Sequence, residues 1–145
     1  MKINTKTRYG VRAMIEIAAH TPTGGVYQKD IAAKQDISNK YLDHIIHALK
    51  VAGLIRKNGH RGGYVLTRPA GEISIYDINN AFEHGICVID CLNCLVQCEK
   101  ELECSARDFW QNLNNVIINH YKSTTLEDFL AEKIKDPETG DKVDS

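Results

Sequence analysis

The chain has 145 residues, 43% of them hydrophobic and 26% charged, with a formal net charge of −1. That suits a soluble globular protein of one ordinary domain, and no apolar run approaches the roughly 20 residues a membrane-spanning helix needs. The near-neutral total hides a division: residues 1–70 carry twelve Lys and Arg against four Asp and Glu, and the remainder carry six against fifteen. A basic first half points to a polyanionic partner for that half alone.

The first predicted element is a helix over 5–20, "TKTRYGVRAMIEIAAH", with Tyr9, Ala13, Met14, Ile17 and Ala18 at helical spacing. "TPTGG" breaks it, and "YQKDIAAKQ" (27–35) reads as a short helix with Ile31 inward. "DIS" makes a tight turn, and Ser38 is placed to cap a helix in which Leu42, Ile45, Ile46 and Leu49 form one apolar stripe, stopped by Gly53. Two short strands follow, 54–57 and 64–67. Between them lie Asn58-Gly59 and Gly62-Gly63, dipeptides that tolerate the positive φ of hairpin turns. Four basic residues, Arg56, Lys57, Arg61 and Arg68, line the hairpin, and His60 adds a further donor. Further on, Ser74 with Asp77, Ser105 with Asp108, and Thr124 with Glu127 have helix-capping spacing, and Gly85 is a stop signal for the first of these helices. The helix after Ser105 carries a wide apolar stripe of Phe109, Trp110, Leu113, Val116, Ile117 and Tyr121. Residues 136–145 read as a polar tail.

The expected fold is mostly α with a small β-hairpin wing: a winged helix-turn-helix over 1–70, then a second region over 71–135. In such modules the second helix enters the major groove and its first turns face base edges. Here those turns supply Ser38, Asn39, Lys40, Tyr41, Asp43 and His44. Asn39 and His44 can read base edges, and Lys40 can meet phosphate or guanine. At the wing, Arg61 is flanked closely by glycine and can reach a minor groove, with His60 beside it.

"CVIDCLNCLVQCEKELEC" (87–104) holds all five cysteines of the chain. The start of the chain shows no secretory h-region, so the expected compartment is the cytoplasm, where thiols stay reduced. Zinc, an iron–sulfur cluster and redox-active thiols are all compatible with such crowding. Structural zinc favours paired CxxC knuckles, and only Cys91–Cys94 has that spacing.

Together, "TKTRYGVRAM", "KYL" after "DIS", "RGGYVL" and "CEKELECSARDFW" resemble the IscR/NsrR family of winged-helix regulators over roughly residues 1–135. The resemblance implies a homodimer built on a long helix, binding a pseudo-palindromic DNA operator. It also implies an iron–sulfur cluster, 2Fe–2S or 4Fe–4S, held by Cys98 and Cys104, with Cys91 best placed as the first ligand. Two departures stand out. The histidine that completes the set in one branch is Arg107 here, and the acidic residue used in the other is Arg8. Cys94 is then the leading candidate for the fourth ligand, ahead of Cys87, with His84 and His120 behind.

The function expected is a DNA-binding transcription regulator, a repressor controlled by that cluster. The alternative keeps the fold but lets the thiols sense oxidants directly, without a cluster. No phosphate loop, nucleophile elbow or HExxH motif points to an enzyme.

Overall fold

The computed structural model describes residues 3–88 and 105–131. Helix α1 (Thr5–His20) starts where Asn4 accepts the Lys6 N–H, so its first turn is capped by a side chain. Its inward face of Ala13, Met14, Ile17 and Ala18 is fully or almost fully buried. Helix α2 (Gln28–Gln35) ends at Asp36, which takes a left-handed conformation with φ of 54°. Ser38 then accepts the Tyr41 N–H and opens helix α3 (Asn39–Val51), and Gly53 at φ of +76° ends it. The helical spacing read from sequence places Leu42, Ile45, Ile46 and Leu49 in the core, as expected.

Strands β1 (Ile55–Lys57) and β2 (Tyr64–Leu66) pair antiparallel, with Ile55 opposite Leu66 and Lys57 opposite Tyr64. Val26 adds an antiparallel bridge to Tyr64, so the wing is fastened to the segment before α2. The glycines of the wing divide into two kinds. Gly59 has the positive φ expected of a turn (+80°). Gly62 and Gly63 do not, and their lack of a side chain answers a packing need instead. A Cβ on Gly62 would lie 1.7 Å from the Asn58 carbonyl oxygen, and one on Gly63 2.6 Å from Val26 backbone atoms.

Helix α4 (Ile75–Asn80) has the Ser74–Asp77 capping box in full, with 3.0 and 3.1 Å hydrogen bonds. It ends at Asn80, short of Gly85, whose φ of +83° serves a later turn. Helix α5 (Arg107–Ser123) lacks the Ser105 cap: its N-cap is Ala106, with no side-chain hydrogen bond. The last cap is also displaced. Asp128 accepts the Thr125 N–H at 2.8 Å, while the Thr124 hydroxyl donates back to the His120 carbonyl. The tandem threonine and tandem acid of "TTLED" fit either register, and the competing bond to His120 selects the later one. Ile73, Ile78 and Leu126 join the same buried cluster as α1 and α3. Burying each such side chain contributes about 1.5–3 kcal/mol. The tail 136–145 lies outside the described residues.

Candidate nucleic-acid interface and sensor segment

The exposed face of α3 carries Asn39, Lys40, Asp43 and His44. Ser38 is engaged as the helix cap, and Tyr41 is half-buried, edge-on to Tyr9 at 5.5 Å. Asp43 accepts a hydrogen bond from Gln28 Nε2, so α2 orients one acidic side chain of this face. His47 is also exposed, one turn beyond His44 on the same helix. The sequence reading stopped at His44, but the i, i+3 spacing from it carries the signal for His47. Helix α3 has no acidic residue in its first turn, so the positive end of its dipole is not offset there. Lys40→Ala is expected to weaken binding to all duplexes about equally and to lower the slope of log affinity against log salt by about one unit. Fluorescence anisotropy over a salt series checks this; a loss confined to one operator sequence would assign Lys40 to a base instead.

What holds α2 in place is a buried polar group. Glu16 of α1 is 2% exposed, 3.3 Å from Lys34 Nζ, and accepts from Gln35 Nε2 at 3.2 Å. Arg12 in turn donates to the Gln35 side chain at 2.9 Å and to its backbone carbonyl. Leaving a buried carboxylate without such partners is costly, so this network specifies how α1 and α2 meet.

At the wing, His60 and Arg61 are exposed at the tip. Arg56 and Lys57 are exposed on β1. Arg68 behaves differently: its guanidinium lies 3.4 Å from the Asp77 carboxylate, which draws it toward α4.

In the acidic half, α5 leaves Phe109 61%, Leu113 37% and Val116 64% exposed. Its one buried residue is polar Asn114, whose Oδ1 accepts the Val88 N–H at 2.9 Å. Partial burial pushes the phenol of Tyr121 above its ordinary pKa. Cys87 is exposed just before Val88, and Arg107 opens α5. His84 and His120 are exposed. Cys91, Cys94, Cys98 and Cys104 lie outside the described residues. Among the described residues, no group of three or more His, Cys, Asp and Glu is placed to hold a metal ion, and no helix is long and apolar enough to cross a membrane.

Comparison with known proteins places this architecture. The family model Rrf2, described as an iron-dependent transcriptional regulator, matches residues 3–132. Protein rrf2 of Nitratidesulfovibrio vulgaris is 33% identical over 133 residues, covering 91% of this chain and 89% of its own. The solved structure of CymR, the global cysteine regulator of B. subtilis, superposes with a TM-score of 0.77 at 32% identity, covering 90% of this chain and 97% of CymR. T. potens IscR superposes with a TM-score of 0.74 at 30% identity, covering 92% and 88%. These relatives are regulators and not enzymes, and they share the winged-helix fold that the wing and α3 describe. The chain belongs to the Rrf2 family of transcriptional regulators.

Proposed function

We propose that this regulator is a cytoplasmic homodimeric repressor whose affinity for a pseudo-palindromic operator is set by an iron–sulfur cluster on Cys91, Cys98 and Cys104, with Cys94 as fourth ligand. Residues 1–70 are the DNA-binding domain, and 71–135 serve sensing and dimerisation. Contacts fall to Asn39, Lys40, Asp43 and His44 on α3, flanked by Ser38 and Tyr41, and to His60 and Arg61 on the wing. The donor set fits the group: thiolates are soft ligands of the kind iron–sulfur clusters take, whereas the guanidinium groups of Arg8 and Arg107 have no lone pair to offer. When bound, the cluster supplies an oxidant-sensitive link among the thiolates.

The observation that carries the reading is how the cysteine segment is attached. It leaves the described fold at Val88, whose N–H is held by Asn114 of α5, and it returns at Ser105, directly before α5. Linking thiolates between those points therefore changes the tension on one helix. That helix packs on α4, and α4 packs on α1. Its exposed Phe109, Leu113 and Val116 suit burial against a second copy, which would tie the spacing of two α3 helices to α5.

The test compares cluster-loaded and chelator-stripped protein, both anaerobic, on duplexes that the protein itself selects from a random pool. A difference in affinity between the two forms is expected, together with iron and inorganic sulfide in the loaded one. Val116→Asp is expected to convert the dimer to monomer by light scattering and to lower operator affinity at least tenfold, about 1.4 kcal/mol. Equal affinity of the two forms would remove cluster control. The likeness to CymR favours one second reading, in which two thiols of the segment form a disulfide as a peroxide is reduced to water. Operator affinity that responds to peroxide in iron-free protein distinguishes it.

A further inference from the structure

Segment 24–28 touches both DNA-facing elements. On one side, the Gly24 carbonyl accepts from Asn58 Nδ2 at 3.0 Å, and Val26 exchanges hydrogen bonds with Tyr64 at 3.1 and 2.7 Å. These bonds fasten the base of the wing. On the other side, Gln28 Nε2 donates to the Asp43 carboxylate and, at 3.4 Å, to the Asn39 carbonyl, both on α3. Between them stands Tyr27. The residue is 50% exposed, outside the core, and its hydroxyl donates to the Arg61 carbonyl at 2.8 Å. That bond runs past the wing's base to its tip.

We propose that Tyr27 is a positioning residue: its hydroxyl sets where Arg61 stands relative to the recognition helix α3, and so tunes how the wing engages the minor groove. The proposal rests on the reading that α3 and the wing contact DNA. Its logic is that of adjacent anchors. Tyr27 holds the wing tip while its chain neighbour Gln28 reaches Asn39 and Asp43 of the core-packed helix α3, so the tip is tied to a reference that also touches the recognition helix. Gly62 and Gly63 stand close to Asn58 and to the Val26 backbone, too close for a side chain, so the return limb of the wing has little room on that side. The Arg61 side chain stays exposed while its backbone is held. That combination orders a contact residue before it binds.

A double-mutant cycle tests this, using anisotropy on a duplex selected by the wild-type protein from a randomised pool. Tyr27→Phe removes only the hydroxyl and is expected to lower affinity about fivefold, within the range of one net hydrogen bond, with the melting temperature unchanged. Arg61→Ala is expected to lower it about tenfold or more. The pair together is expected to be no worse than Arg61→Ala alone, because the phenol then has nothing to position. The loss from Tyr27→Phe is also expected to concentrate in duplexes with A·T-rich flanks, where arginine gains most from a narrow groove. Wild-type affinity in Tyr27→Phe overturns the proposal. A full additional loss in the Arg61→Ala background overturns it too, since Tyr27 would then touch DNA on its own account. So does an Arg61→Ala protein that binds like wild type; if Lys40→Ala still weakens binding, the DNA-binding reading stands and only the role of Tyr27 falls.

Discussion

Alanine at Cys91, Cys98 or Cys104 is expected to yield anaerobically purified protein that contains neither iron nor inorganic sulfide, against stoichiometric amounts in the wild type. The effect is all-or-none because each thiolate is an integral ligand, and a site with a missing charged ligand exposes iron to water and exchange. The neighbouring cysteines provide the internal controls. Cys94→Ala is expected to leave a labile cluster with an altered absorption spectrum, since neither Arg8 nor Arg107 can substitute. Cys87→Ala is expected to keep the cluster: Cys87 sits exposed beside the Val88–Asn114 attachment, at the edge of the segment and not within it. Absorption spectroscopy with iron and sulfide analysis reads all five variants. Stoichiometric zinc without sulfide in the wild type would sink the assignment, as would full iron retention in Cys98→Ala.

The second large effect concerns the wing. Gly62→Ala is expected to cost operator binding tenfold to a hundredfold, about 1.4–2.7 kcal/mol, while the melting temperature falls little. The added methyl would stand 1.7 Å from the Asn58 carbonyl oxygen and 2.6 Å from its carbon. Both are backbone atoms, so no side-chain rotation relieves the clash, and the return limb of the wing must move. Moving it breaks the Asn58 N–H bond to the Gly63 carbonyl (2.9 Å) and displaces Arg61 from Tyr27. The core is built mostly on α1 and α3 and reaches the wing only at its strands, through Ile55, Tyr64 and Leu66, so a shift confined to the tip is expected to leave most of its packing in place. Gly59→Ala is the comparison. It strains a left-handed residue by about 1–2 kcal/mol but meets no atom within 4 Å, so its effect on operator binding is expected to be much smaller. Anisotropy and thermal melting of the two variants side by side decide the matter; wild-type DNA affinity in Gly62→Ala would show the wing tip to be dispensable.

The first half, residues 1–70, was readable from the residues because its signals are local. The period of the apolar residues and the breaks at 21–25 and Gly53 marked α1 to α3 to within a residue. The errors lie where one local signal competes with another or with packing. Ser105 and Asp108 have capping spacing, yet the helix opens at Arg107 without them. Gly62 and Gly63 look like turn glycines, but the approach of Asn58 and Val26, which depends on distant chain, is what excludes a side chain there. Nothing in the spacing of Tyr27 or Glu16 announces their partners, 34 and 18 positions away. Of the candidate site, the face of α3 was legible as a helix side, and the cysteines as a crowd of one chemistry. Their link to α5 was not, since it runs through Asn114, a polar residue whose burial no period predicts.

The two attachment points at Val88 and Ser105 also bear on how such a regulator can diversify. Sixteen residues separate them, and both belong to the surroundings of one helix. A stretch bounded in this way is expected to be exchangeable as a cassette. Its length, its cysteine count and even its chemistry can be rewritten while the fasteners and the reader of DNA remain as they are. Transplanting a different stretch between those two points is therefore a way to ask whether a regulator can keep its operator and take a new stimulus.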